Sequence, residues 1–371
     1  MGKKRKIRVA VTGVGNCASA LIQGIEYYRH NRSADLGLMH RNLGGYFPED
    51  VEIVAAFDVD RRKVGRPLQE AVLASPNCVI PIWPALPDYG IRVQMGPILD
   101  GVAPHMKEFP PERTFVVADE KPVAVEEVLK KTRADIMVNY LPVGSGAATR
   151  YYAGCCLLTG VSFVNCMPEF IASDPAWAKQ FKKKGIPIIG DDIKSQVGAT
   201  IIHRVLAHLF EERGAKIKRT YQLNTGGNTD FLNMLERKRL INKKISKTEA
   251  VQSQLSTPLA DENIHIGPSD YVPWQGDNKV CFLRIEAVNF CGVPLELEAR
   301  LSVQDSPNSA GVAIDAIRYC QVARDRGEAG ALLPASAYLM KHPPRQMDEG
   351  DARRRMETYL AAPPKNMKTG R

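Results

Sequence analysis

The chain has no C-x-x-C pair, few histidines, few aromatics and no long apolar run, and each absence removes a class of function. Eight cysteines in 371 residues, including the vicinal pair Cys155-Cys156, match neither a disulfide framework nor a zinc site. They read as small buried thiols of a reducing compartment. His203 and His208 lie five apart rather than four on one helical stretch, so they read as core or rim histidines and not as a metal pair. No segment approaches the ~20 apolar residues that cross a bilayer, and Met1 to Lys6 lacks the apolar stretch of a signal peptide. A cytoplasmic protein without a membrane partner is expected. Aromatics make up only 7%, and no helix-turn-helix, zinc-finger or RNA-recognition pattern occurs. The formal charge of +9 gathers in Lys3-Lys4-Arg5-Lys6 and in a tail with Arg353-Arg354-Arg355, Lys365, Lys368 and Arg371. Such ends solubilise more often than they bind nucleic acid.

What is present, at 44% hydrophobic and 25% charged, is an ordinary globular composition. Lys6 to Val11 alternates as a strand and runs into Thr12-Gly13-Val14-Gly15-Asn16-Cys17-Ala18, a G-x-G-x-x-A turn before a helix to Tyr28. Gly13 permits the tight turn, Gly15 lets a pyrophosphate approach the backbone, and Ala18 lets helix and strand pack closely. A second strand, Val54 to Phe57, ends in Asp58, whose carboxylate can bind ribose hydroxyls and repel a 2′-phosphate. NAD is therefore expected over NADP, although Arg61 and Arg62 lie close by. The long interval from Gly15 to Asp58 requires an insertion around Asn31 to Asp50.

Up to about residue 200 strand and helix alternate, each strand ending in small or kinked residues. Ser173 followed by Asp174-Pro175 reads as a cap for a helix to Lys184, and Ser246 with Glu249 as a capping box. From Thr220 long alternating strands, Val280 to Val288 and Leu295 to Val303, point to an antiparallel sheet. After Asp305-Ser306-Pro307-Asn308-Ser309 the helical period returns, and beyond Pro343 the pattern looks weakly ordered. The expected fold is α/β: a Rossmann-type doubly wound parallel sheet interrupted by an α+β domain with a largely antiparallel sheet. The expected divisions are 1–200 for the NAD-binding domain, 201–304 for a catalytic and oligomerisation domain, and 305–371 for helices that complete the first domain, plus a tail.

The stretch Gly190-Asp191-Asp192-Ile193-Lys194-Ser195-Gln196-Val197-Gly198-Ala199-Thr200 places carboxylates and an amine where an apolar strand meets a helix, the position at which open α/β sheets bind ligands. A plain helix cap is the alternative for either aspartate. With it, in order, come Gly13 to Ser19, Asn139-Tyr140-Leu141-Pro142-Val143-Gly144-Ser145, Leu223 to Phe231, Ile266-Gly267-Pro268-Ser269-Asp270 and Asp305 to Gly311. Together these motifs resemble the myo-inositol-1-phosphate synthases of the actinobacterial and archaeal type, over about Ile7 to Pro344. Acidic residues would be expected at Ser145-Gly146-Ala147.

The resemblance implies cyclisation of glucose 6-phosphate to inositol 3-phosphate, tightly held NAD and a homotetramer built through the second domain's sheet. The chemistry oxidises carbon 5 of the open-chain sugar, loses a proton from carbon 6, closes the ring by aldol attack on carbon 1 and reduces carbon 5 again. Negative charge develops on oxygen in several of these steps, so fixed ammonium groups, helix N-termini or a metal are needed. The implied catalytic residues are Lys194, Lys243, Lys279, Lys341, Asp192 and Asp305. Lys194 and Lys279 would serve the carbon 5 or aldehyde oxygen, and Lys243 and Lys341 the phosphate; Lys244 or Lys247 could replace Lys243. The implied cofactor contacts are Gly13, Val14, Gly15, Asn16, Cys17, Asp58, Tyr140, Leu141, Pro142, Val143 and Ser195. Asn224, Asn228, Thr229 and Asp230 would meet sugar hydroxyls. A mono- or divalent cation stays open, with no metal identified. The alternatives are a two-domain NAD(P)-dependent dehydrogenase with net redox, resembling homoserine dehydrogenase, and a nonenzymatic NAD-sensing regulator.

Overall fold

A computed structural model describes residues 6–362 except 84, 268 and 269. Lys3-Lys4-Arg5, Pro268, Ser269, Lys365, Lys368 and Arg371 lie outside the described residues. In chain order the first part runs β1 (Ile7–Thr12), α1 (Asn16–His30), β2 (Val51–Asp58), α2 (Leu68–Ala71), β3 (Gln94–Met95), α3 (Val125–Thr132), β4 (Ile136–Asn139), α4 (Gly146–Thr159), β5 (Ser162–Asn165), α5 (Pro175–Lys183), β6 (Pro187–Ile189) and α6 (Ala199–Glu212). Then follow β7 (Lys216–Gly226), α7 (Thr229–Asn233), α8 (Ile241–Gln252), β8 (Ile264–Ile266), β9 (Asp270–Tyr271), β10 (Asn278–Val288) and β11 (Pro294–Gln304). The chain closes with α9 (Asp305–Asp325), β12 (Gly330–Ala331), α10 (Leu333–Leu339) and α11 (Glu349–Ala361).

Strands β4 and β5 are buried at every residue, as strands covered on both faces must be. They belong to a parallel sheet of order β12-β6-β5-β4-β1-β2-β3. The order reverses between β1 and β4, which is where such sheets open a crevice at the carboxyl ends of their strands. The second sheet, β11-β10-β7-β8 with β9 also on β7, is mixed. β10 runs antiparallel to both β7 and β11, while β8 and β9 run parallel to β7. α9 leaves this sheet and packs on α1 and the first sheet, and β12 pairs with β6. The Asn31 to Asp50 insertion is clasped to α9 by the buried Arg318, which donates to Arg41 O (2.9 Å) and Tyr46 O (3.2 Å).

Three local expectations are corrected. The cap of α5 is Asp174, whose Oδ1 accepts from the Ala176 and Trp177 N–H groups (2.8 and 3.0 Å); Ser173 instead donates to Asp191 Oδ2 (2.8 Å). Ser246 caps nothing. A 3-10 turn at Arg237–Leu240 runs directly into α8, leaving Ser246 in mid-helix with its hydroxyl on Asp192 Oδ2 (2.7 Å). The segment after Pro343 is ordered in α11, capped by Asp348 through the Asp351 N–H (2.7 Å) and anchored by buried Ala352 and Met356. Two apolar anchors one turn apart are too sparse to stand out in a charged sequence.

Candidate active site

Gly13 ends β1 with φ +84°, and a Cβ there would stand 2.5 Å from Tyr140 O. Only glycine fits. At Gly15 a Cβ would meet nothing within 4 Å, so the chain leaves open space beside the start of α1. That helix has neither a capping side chain nor an acidic residue in its first turn. Its first N–H groups are thus left to an anion. Asp58 lines the hollow beside Gly13 and Gly15 while its carboxylate accepts from the N–H groups of Val14 (2.7 Å), Val59 (2.7 Å) and Asp60 (2.8 Å). Arg62 is held by Asp60 Oδ1 (2.8 Å) and Thr114 O (2.7 Å). Buried Lys63 also lines this hollow and donates to Val14 O (2.7 Å) and Asn77 Oδ1 (2.9 Å), bracing the turn from behind. Burial pushes its pKa down.

A second hollow shares Gly15, Tyr140, Leu141 and Pro142 with the first and continues to Asn16, Cys17, Asn228, Thr229, Asp230 and Asp305. At that end stands a cage of alternating charge. Lys243 on α8 pairs with Asp230 (3.2 Å), Lys279 on β10 with Asp305 (3.1 Å), and Lys341 with Asp192 (2.8 Å). Lys341 reaches Asp192 because the chain after α10 lies along the β6 turn, its N–H on Asp192 O (2.7 Å). Lys247, one helical turn beyond Lys243, is buried and has no ion pair among the described residues. Its own burial and the ammonium groups of Lys279, Lys243 and Lys341 push its pKa well below the usual value. Burial would raise Asp192 and Asp305, but Lys341 and Lys243 outweigh it for the first and Lys279 for the second, so both carboxyls are held down. For Lys243 the carboxylates of Asp230, Asp192 and Asp305 outweigh burial and raise its pKa.

Asn224 is buried on β7 opposite Cys281 and shares a sheet face with Lys279. Its Oδ1 accepts from Gln222 Nε2 (3.2 Å), while its Nδ2 has no partner among the described residues. Asn228 caps α7, its Oδ1 accepting from the Asp230 and Phe231 N–H groups (3.1 and 3.2 Å). The Thr229 hydroxyl lies 3.4 Å from Arg113 O.

Other expected residues stand elsewhere. Lys194 does not join the cage: its amine donates to Ala337 O (2.9 Å) and pairs with Glu349 (2.7 Å), which also takes Arg204 (2.8 Å). Burial pushes Lys194 down to about 8. Ser195 lines a different hollow with Lys194, Tyr338 and Glu349. Val14 and Val143 are wholly buried and support the crevice through their backbones, Val143 O accepting from Asn233 Nδ2 and Arg239 Nε (both 2.9 Å). Neither aspartate of the β6 turn caps α6. Asp191 is buried and gathers the N–H groups of Ile171, Ala172 and Ser173. The acid expected at Ser145-Gly146-Ala147 arrives from a loop: Asp100 accepts from the Ala147 and Ala148 N–H groups (2.7 and 2.9 Å). His203 is buried with Nε2 on Thr220 Oγ1 (2.9 Å), and the half-buried His208 pairs with Glu212 (3.2 Å). No cluster of three His, Cys, Asp or Glu side chains suited to a metal occurs among the described residues.

Comparison with known proteins decides the family. The chain is 54% identical over 361 residues to an inositol-3-phosphate synthase of Mycolicibacterium smegmatis, covering 96% of this chain and 98% of that one. It belongs to the inositol-3-phosphate synthase family. A Corynebacterium glutamicum inositol-3-phosphate synthase is 53% identical, with 95% and 98% covered, and the myo-inositol-1-phosphate synthase family model matches residues 198–306. The solved structure of a myo-inositol-1-phosphate synthase-related protein from Thermotoga maritima superimposes with a TM-score of 0.79 at 25% identity, covering 97% of this chain and 100% of that one. The segment matched by the family model runs from α6 to the start of α9 and carries Lys243, Lys247 and Lys279 of the cage. Lys247, which sequence reading left as a substitute for Lys243, lies among these lysines. Its spacing of four from Lys243, one turn on a helix face, was the available signal.

Proposed function

We propose that this protein converts D-glucose 6-phosphate into 1D-myo-inositol 3-phosphate without net redox. One observation carries the reading: two hollows that share Gly15, Tyr140, Leu141 and Pro142 lead from the glycine turn, suited to a dinucleotide, to Asp230 and Asp305, the carboxylates that hold Lys243 and Lys279 of a cage suited to oxyanions. The free N–H groups of α1, the bare backbone at Gly13 and Gly15 and the carboxylate of Asp58 fit NAD, with Tyr140, Leu141 and Pro142 as the facing wall. NAD supplies the oxidant that makes carbon 5 a ketone and the hydride that later restores it.

The chain's own residues divide the remaining work. Lys279, Lys243 and Lys341 are each ion-paired to an aspartate and stabilise negative charge on the sugar oxygens and the phosphate. Lys247 has no ion pair among the described residues and has a depressed pKa, which suits its amine to take the carbon 6 proton. The unpartnered Asn224 Nδ2 is a donor for a sugar hydroxyl. Asp192 keeps Lys341 and Ser246 in place.

The deciding experiment uses glucose 6-phosphate deuterated at carbon 5, with a large pool of unlabelled NADH present. Periodate-sensitive inositol phosphate that retains the label, with loss of a carbon 6 proton, supports the reading. A rise of NADH absorbance in proportion to substrate consumed, or washout of the carbon 5 label, defeats it in favour of a net dehydrogenase.

Assembly belongs to the same proposal. On the outer face of the second sheet, Leu223 and Phe282 stand opposite each other and are 41% and 44% exposed. This apolar pair supports a homotetramer joined through that sheet. All eight cysteines are free thiols, and no described helix is long and apolar enough to cross a membrane; both features are compatible with a cytoplasmic enzyme.

A further inference from the structure

Asp277 lies on the turn into β10 and is buried, 2% exposed. Its carboxylate is fully occupied by neutral donors: Oδ1 accepts from Asn228 Nδ2 (2.9 Å) and Ser306 Oγ (2.8 Å), and Oδ2 from the Ser306 N–H (3.0 Å). Its carbonyl accepts from the Asp305 N–H (2.9 Å). Each partner opens a helix that carries one carboxylate of the cage. Asn228 caps α7 and fixes the Asp230 N–H, and Asp230 holds Lys243; Ser306 follows Asp305 in the first turn of α9, and Asp305 holds Lys279. The Ser306 hydroxyl also lies 3.9 Å from Cys17 Sγ in the first turn of α1.

We infer that Asp277 is a positioning residue whose ionised carboxylate fixes the starts of α7 and α9 relative to each other, and so sets the spacing of the Lys243 and Lys279 ammonium groups across the crevice. The inference rests on the reading of the lysine cage as the substrate site. A carboxylate is required because three donors converge on it; an amide would turn its own NH₂ against one of them and lose an acceptor. The charged and titratable groups that face it are Asp305 on α9, Cys17 on α1 and Cys78, with Lys279 on β10 held by Asp305 and, one step further out, Asp230 on α7 and Lys243 on α8. Burial first and then the neighbouring Asp305 push Asp277 up to about 6, against its hydrogen bonds. It is therefore ionised at neutral pH and gains a proton just below, where the O–H displaces an accepted hydrogen bond and loosens the two helix starts.

The test is the pH profile of inositol phosphate formation for the intact enzyme, Asp277→Asn and Ser306→Ala, with NAD titration and thermal melting alongside. Asp277→Asn should lower kcat by up to about 100-fold, the effect of a small misplacement of reacting groups. It should leave KM and NAD affinity within about 3-fold and abolish the acidic limb near pH 6. Ser306→Ala, which keeps the carboxylate and loses one donor, should keep that limb but move it to higher pH, because a hydrogen bond that favours the ionised form is gone, with a loss of rate of about 3-fold to 10-fold. An Asp277→Asn enzyme with the intact enzyme's rate and acidic limb overturns the inference. So does a loss of NAD binding and melting temperature in step with activity, which would make Asp277 architectural only. If Asp277→Asn does not fold, Ser306→Ala decides: an unchanged rate or an unmoved acidic limb overturns the inference, and a reduced rate with the limb moved to higher pH sustains it. Absence of inositol phosphate from the intact enzyme is a separate result, and it sinks the proposed function itself.

Discussion

The glycine-turn crevice and the lysine cage adjoin in space but are built in opposite ways. The crevice floor is one continuous piece of chain, Thr12 to Cys17, which presents backbone N–H groups, and Asp58 is the main side chain brought to it. The cage draws Asp192 from the β6 turn, Lys243 and Lys247 from α8, Lys279 from β10, Asp305 from α9 and Lys341 from beyond α10. A ligand whose charge is fixed needs only oriented backbone dipoles. A reaction whose charge moves needs several cations held apart in poor solvent, and cations repel, so a carboxylate must be interleaved with nearly every one.

The sharpest way to break this comparison is to remove cage charges alone. Lys247→Ala and Lys279→Ala are each expected to lower the rate by on the order of 100-fold to 1,000-fold, while NAD titration of the same proteins stays within about 3-fold of the parent. Normal turnover in either variant would remove that lysine from the site.

Lys194→Ala should behave differently from any cage lysine, because its amine serves Glu349 and Ala337 O. Removing it leaves the partly buried Glu349 with Arg204 alone, and urea unfolding should show a loss of about 1–3 kcal/mol. The rate per folded molecule should change by less than about 3-fold, and Lys194→Arg should not repair stability because the buried space is fitted to one amine. A folded, stable and inactive Lys194→Ala enzyme would return this lysine to the chemistry.

The crevice is sharpened by cofactor choice. Asp58 lines it and Arg62 is committed to Asp60 and Thr114 O, so NAD should bind at least about 10-fold more tightly than NADP, roughly 1.4 kcal/mol. Titration of cofactor-free protein measures this, and equal affinity would point to exposed Arg61.

The smallest effect concerns the layer beneath the cage. Burial, only partly offset by the neighbouring Gln222 side chain, lowers His203 to about 4 from 6.5. Its folded pKa lies below the unfolded one, so between those values the unfolded chain binds more protons and stability falls as pH drops from about 6.5 toward 4. Relative to the parent, His203→Gln should lose on the order of 1 kcal/mol less stability between pH 7 and pH 5. Parallel stability curves for the two proteins would remove His203 as a source of acid sensitivity.

Periodicity and local chemistry by themselves determined the alternating β/α order, the glycine turn, Asp58 after its strand and the long paired strands β10 and β11, since each is a property of neighbouring residues. Lys243, Lys279, Lys341, Asp192 and Asp305 came into view as one set only through the resemblance of the motifs to a known family. What the tertiary structure alone decided is which charge meets which. Lys194 follows Asp192 by two residues, yet the turn sends its amine to Glu349 on α11, a helix whose few apolar anchors left it invisible in the sequence. Ser246 read as a cap until α8 proved to start earlier and Asp192 took its hydroxyl. Lys247, which the sequence offered only as a substitute, and Asp277, which it did not offer, gained their weight as buried groups, one without an ion pair among the described residues and the other surrounded by donors. The direction of a side chain at a turn and the solvent left around it depend on packing from segments 29 to 155 residues away, and no local pattern encodes that distance.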